Sequence, residues 1–196
     1  MSPNSTGNTL FAGVGGQGII LASEVLAQVC LEAGLDVKQS EVHGMAQRGG
    51  SVTSHVRYGE KVNSPTIELG TADFLVSFEA VECLRWIGYL KPDGVAFVNT
   101  QQIQPITVAS GAATYPDDMS ERLRNAHPNV IQMDAVSLAQ EAGSLRTVNV
   151  VMLGAMATRM PFEIGAWEGC IRNRVPPKTL EINLAALKAG QDAANR

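Results

Sequence analysis

Thr9-Leu10-Phe11-Ala12-Gly13-Val14-Gly15-Gly16-Gln17-Gly18 is the stretch that decides the fold. A short apolar run, Thr9 to Ala12, reads as a buried strand. It runs straight into a glycine turn, and from Gly18 onward Ile19, Ile20, Ala22, Val25, Leu26, Val29 and Cys30 recur at helical spacing. Strand, glycine turn and helix open a doubly wound sheet. Gly13, Gly15 and Gly18 fit GxGxxG, in which one glycine turns the chain, one lets backbone approach a pyrophosphate and one lets helix pack on strand. Amides at such a helix start point at an anion. The same glycines serve any sharp strand-to-helix turn, so a dinucleotide seat and a bare turn both stay open. The acid that a dinucleotide needs about twenty residues on would be Glu41, which fits poorly among Lys38, Gln39 and Ser40.

Working outward, Gly34 reads as a left-handed helix cap and Asp36 to Val42 as the second strand. A polar loop follows, His43-Gly44-Met45-Ala46-Gln47-Arg48-Gly49-Gly50-Ser51. Its paired glycines open backbone angles closed to other residues, while His43, Gln47, Arg48 and Ser51 crowd donors and acceptors together. Arg48 is the side chain to hold a phosphate or carboxylate, through its fixed fork of donors. The bland reading is a solvated loop whose arginine pairs with Glu41 or Glu60. Ser51 to Tyr58 alternates as a half-buried strand, with Thr66 to Leu69 as its expected partner.

Beyond it, Ala72 to Phe78 is the continuous apolar run of a parallel, doubly covered strand. A helix is expected over 79–90, a turn at Pro92-Asp93-Gly94, strands at 95–99 and 129–134, and a short helix over 117–126. From Asp134 the pattern is helical: 135–142, 149–160, 161–175 and 178–194. The fold class is therefore α/β, a Rossmann-like, doubly wound, largely parallel sheet with a C-terminal helical layer. One domain over 1–196 accommodates it.

Composition narrows the function. With 45% hydrophobic and 17% charged residues the chain is apolar enough to suggest a subunit, and a net charge of −4 offers no field for nucleic acid or an anionic membrane. No apolar run approaches a membrane span, and the polar start lacks a secretion signal, which points to the cytoplasm. Cys30, Cys83 and Cys170 stand far apart and read as buried free thiols, so iron–sulfur clusters belong on another chain. Glu79 and Glu82 suit the first turn of a helix, and Met152, Met156 and Met160 one packed helical face. His43 and His55 read as structural hydrogen-bonding groups. The chain is equipped to bind and carries no catalytic or metal-binding signature of its own.

Three segments together are similar to a known family. Gly13 to Gly18, Ser40 to Val52 with His55-Val56-Arg57, and Asn149 to Ala155 resemble the gamma-type domain of the 2-oxoacid:ferredoxin oxidoreductases, in the branch of small (beta) subunits acting on arylpyruvates such as indolepyruvate. Glu181 to Gly190 resembles that family's closing helix, and the likeness spans nearly the whole chain. The resemblance implies an enzyme built with a large alpha subunit that carries thiamine diphosphate and [4Fe-4S] clusters. Such complexes decarboxylate an arylpyruvate, reduce ferredoxin and transfer the acyl group to coenzyme A. It further implies that Gly13, Gly15, Gly16, Gln17, Gly18, His43, Gln47, Arg48, Gly49, Gly50 and Ser51 contact coenzyme A or the partner's active-site rim. A free-standing protein binding NAD or a flavin is the alternative.

Overall fold

The computed structural model describes residues 6–43, 50–104, 108, 110–112 and 114–195. Its six strands are β1 (Gly7–Val14), β2 (Asp36–His43), β3 (Ser51–Gly59), β4 (Ala72–Ser77), β5 (Leu90–Asn99) and β6 (Val130–Met133). They form one sheet in the order β2-β3-β1-β4-β5-β6. β1, β4, β5 and β6 pair in parallel, whereas β3 runs antiparallel to both β1 and β2. The helices among the described residues are α1 (Ile19–Glu32), α2 (Ala80–Trp86), α3 (Met119–Ala126), α4 (Ala135–Glu141), α5 (Val148–Ala157), α6 (Ile164–Arg174) and α7 (Leu180–Ala194).

β1 reads as an unbroken apolar run because both of its faces are covered. Phe11 packs into a core with α1, α5, α6 and α7, while Leu10 and Ala12 pack into a second core with α2 and α3. β5 divides in the same way, Phe97 facing one core and Ala96 and Val98 the other. The C-terminal helical layer is thus concentrated on the α1 face. Within it α5 and α7 touch backbone to backbone: a Cβ on Gly154 would land on the Leu187 carbonyl, and one on Gly190 on the Val151 carbonyl. Met152 and Met156 are fully buried there, and Met160 nearly so. Gly34 ends α1 at φ +80°, as its expected cap role requires.

Three local expectations give way. Thr66–Leu69 forms no strand: both edges of β3 are already taken by β1 and β2, and the carbonyls of Ser64 and Thr66 accept from the Arg57 guanidinium at 3.0 and 3.3 Å. The helix expected to reach residue 90 stops at Trp86, passing through a 3-10 turn, Ile87–Tyr89, before β5 begins at Leu90. Pro92-Asp93-Gly94 lies inside β5. There the register slips from Ala72 opposite Leu90 to Phe74 opposite Val95, and a Cβ on Gly94 would sit 2.9 Å from the Ala72 carbonyl. The glycine permits that bulge.

Candidate functional site

β1, β4, β5 and β6 all end on one edge of the sheet, and β3 starts there. Neighbouring strands at the centre send their crossover helices to opposite faces, α1 after β1 and α2 after β4. This is the switch point at which doubly wound sheets open a crevice.

The glycine turn lies at that crevice. Gly16 and Gly18 take φ of +103° and +78°, angles that side-chain-bearing residues adopt at a cost. Gly18 is the N-cap of α1, with no side-chain cap, and the first turn carries no acidic residue. Its leading amides are therefore open donors in a positive field. Gln17 is committed to the protein's own framework: its Oε1 accepts from the Val14 N–H at 2.7 Å, and its Nε2 donates to the Phe78 carbonyl at 2.9 Å and to Gln101 Oε1 at 3.1 Å. Asn99, fully buried, adds a bond from Nδ2 to the same Phe78 carbonyl and accepts the Ala135 N–H. The tails of β1, β4 and β5 are thereby tied together beneath the turn. Gly13 is required for close packing, since a Cβ there would lie 2.9 Å from Phe78 Cβ.

The two loops singled out in the sequence come together. Gly15 N–H donates to the Gly50 carbonyl at 2.9 Å, and Ser51 pairs with Val14 in the ladder. His43 closes β2 on the same edge. Gln47, Arg48 and Gly49 lie outside the described residues.

A cleft of about 460 Å³ opens beside the turn, lined by Gly16, Gln17, Gly18 and Gln101 on one side and by Val136, Leu145, Arg146 and Val148 on the other. Leu145 is 56% exposed, and Arg146 is exposed with no charge partner among the described residues. Arg146 sits in a 3-10 turn just before α5, whose N-terminus is tied back to the glycine turn through Asn149 Nδ2, 3.4 Å from the Gly18 carbonyl. Two helix starts and one free guanidinium thus face a half-apolar cleft. That arrangement suits a phosphorylated ligand with an apolar portion. Sequence reasoning missed Gln101, Val136, Leu145 and Arg146, because only the topology carries the α4–α5 connection over the turn.

Two candidates recede. Glu41 is on β2, and β3 separates β2 from β1. At roughly 4.8 Å per strand the intervening β3 sets the carboxylate that would read a ribose about 5 Å further from the glycine turn than an adjacent strand would. His55 is buried and works structurally, its Nδ1 accepting the Ile67 N–H at 3.2 Å. The three thiols are buried, and burial pushes Cys30 and Cys83 up to about 12 and Cys170 to about 11. Among the described residues no three His, Cys, Asp or Glu side chains come together as a metal site would need.

Residues 8–193 match the family of pyruvate ferredoxin/flavodoxin oxidoreductases. The chain belongs to this family. The indolepyruvate oxidoreductase subunit IorB of Thermococcus kodakarensis is 43% identical over 192 residues, covering 95% of this chain and 95% of its own length. Among solved structures, the gamma subunit of the keto/oxoacid ferredoxin oxidoreductase of Geobacter sulfurreducens superimposes with a TM-score of 0.72 at 24% identity, over 96% of this chain and 98% of that one. The 2-oxoglutarate:ferredoxin oxidoreductase of Magnetococcus marinus, solved with 2-oxoglutarate, coenzyme A and succinyl-CoA bound, gives 0.75 at 20% identity, over 98% of this chain and 31% of that one. The expected α/β fold and oxoacid oxidoreductase family are both met. In this member of the pyruvate ferredoxin/flavodoxin oxidoreductases no helix among the described residues is long and apolar enough to cross a membrane.

Proposed function

We propose that the chain is the small subunit of an arylpyruvate:ferredoxin oxidoreductase of the indolepyruvate type, folded as one gamma-type domain. The observation that carries this reading is the 43% identity to an IorB subunit across 95% of both chains. A large alpha subunit holds thiamine diphosphate and the iron–sulfur clusters. On it the 2-oxoacid loses carbon dioxide, the electron pair passes through the clusters to ferredoxin, and the acyl group goes to the coenzyme A thiol. This chain supplies a wall for coenzyme A at or near the subunit interface. Gly15 to Gly18 and the start of α1 face the phosphates, Arg146 and Arg48 hold charge, and Leu145 and Val136 meet the apolar arm. We take the compartment to be the cytoplasm, a reading that the three free thiols support.

Co-purification at low salt tests the assembly: a partner with thiamine diphosphate and iron–sulfur absorbance is expected, and the complex reduces ferredoxin only when arylpyruvate and coenzyme A are both present. A chain that purifies without such a partner and binds NAD or flavin by itself, with measurable heat, overturns the proposal in favour of a free-standing nucleotide-binding protein. The displaced Glu41 weighs against that second reading.

A further inference from the structure

Glu82 is a carboxylate only 5% exposed, at the third position of α2, where a glutamate ordinarily reaches back to its own N-cap amide. Here Glu79 caps the helix by accepting the Glu82 N–H at 2.9 Å, and the Glu82 side chain turns away. Its Oε2 accepts the Ser51 hydroxyl at 2.5 Å and the Trp86 indole N–H at 3.2 Å, and Arg85 Nε lies 3.4 Å from Oε1. A buried carboxylate needs such donors, and a short O–H···O⁻ bond is among the stronger kinds. Ser51 is the first residue of β3, where the chain leaves the polar loop, and the preceding Gly50 carbonyl is held by Gly15 N–H. The loop exit is therefore fixed from two directions: by the glycine turn, and by α2 from the other face of the sheet.

We propose that Glu82 is the positioning residue for this exit, its carboxylate holding Ser51 and, through the Gly50 carbonyl and the Gly15 N–H, the glycine turn that faces coenzyme A. The second half rests on the coenzyme A reading above; the first does not. The Glu79–Glu82 pair has a bland first-turn reading in the sequence, and the geometry assigns its two members different tasks.

Two measurements separate the halves. Hydrogen exchange of the full chain is followed in peptides covering 13–18 and 51–56 for wild type, Glu82→Gln, Ser51→Ala and Ser51→Thr. Faster exchange is expected in the first two variants and wild-type protection in Ser51→Thr, which keeps the hydroxyl. Ser51→Ala keeps the test open should Glu82→Gln fail to fold. In the assembled oxidoreductase, Ser51→Ala should raise the KM for coenzyme A about tenfold and Glu82→Gln by less, each with kcat within about twofold, and the double variant should match Ser51→Ala, because the neutral amide of Glu82→Gln weakens the same bond that Ser51→Ala removes. Unchanged exchange, or effects that add, overturns the proposal. It is equally overturned if Arg48→Ala and Arg146→Ala raise that KM while Glu82→Gln and Ser51→Ala leave it flat. Altered exchange with a KM indifferent to all four substitutions upholds the positioning of the exit and overturns the coenzyme A reading instead.

Discussion

The Gly15 N–H and the Gly50 carbonyl meet at 2.9 Å, joining a turn that follows β1 to a loop that precedes β3. One bond thus makes neighbours of two motifs separated by a helix and a strand, and the cleft beside them draws on a third segment, the α4–α5 connection.

Arg146→Ala removes the cleft's exposed guanidinium. A hydrogen bond to a charged group is worth about 1.5–3 kcal/mol, so the KM for coenzyme A in the assembled oxidoreductase should rise by roughly 10- to 100-fold. Steady-state kinetics at saturating arylpyruvate would show it, and an unaltered KM would remove Arg146 from the site.

The two positive-φ glycines of the turn, Gly16 and Gly18, should respond differently to alanine. Gly16→Ala meets open space and bears only the cost of its φ, roughly 1–2 kcal/mol. Gly18→Ala bears a similar cost and also places its Cβ 2.7 Å from Asn149 Nδ2, so its urea midpoint should fall further. Equal midpoints for the two variants would contradict the packing described.

Gly154→Ala and Gly190→Ala each drive a methyl group into a backbone carbonyl between α5 and α7, where neither helix can yield without moving. A loss of about 3 kcal/mol or more is expected. Gly169→Ala, on α6 with nothing near its added Cβ, should instead gain about 0.5–1 kcal/mol from helix propensity. Chemical denaturation of the three variants compares them directly.

Much of this organisation is written locally in the chain. The β1–turn–α1 unit, the buried run of β4 and the methionine face of α5 follow from spacing, because each depends on periodicity that neighbouring residues display. β3's partners are not local. The alternation of Ser51 to Tyr58 does not say that it pairs with β1 instead of with 66–69; in the fold β1 and β2 take both of its edges, and the Arg57 guanidinium takes the Thr66 carbonyl of the rival segment. The site divides similarly. Gly15 to Gly18 announce themselves, whereas Arg146 and Glu82 look like ordinary surface and first-turn charges until the sheet brings them to its edge.

Alkaline pH should loosen the fold through its thiols. Burial raises Cys30 and Cys83 from 9.0 to about 12 and Cys170 to about 11; the unfolded chain therefore gives up these protons first. The stability that they confer is complete below about pH 9 and is lost as pH climbs toward 12. A urea midpoint lower at pH 10 than at pH 8, with a smaller drop in Cys83→Ala, is the expected result. Buried Tyr58, raised likewise by desolvation, adds to the same slope.

His55 sets the acid side. Burial lowers its pKa below 6.5, so the folded ring stays neutral while the unfolded one charges. Stability is held above about pH 6.5 and falls as pH drops through the lowered value. His55→Asn, which can still accept from Ile67 N–H, should flatten the midpoint between pH 7 and 5.

Since β3 runs back along β1, β2 and β3 are consecutive in the chain and adjacent in the sheet. The segment between them can therefore change length or chemistry without disturbing a single parallel crossover. Evolution, or an engineer exchanging 44–49 between relatives, has in that connection a replaceable cassette mounted on an unaltered chassis.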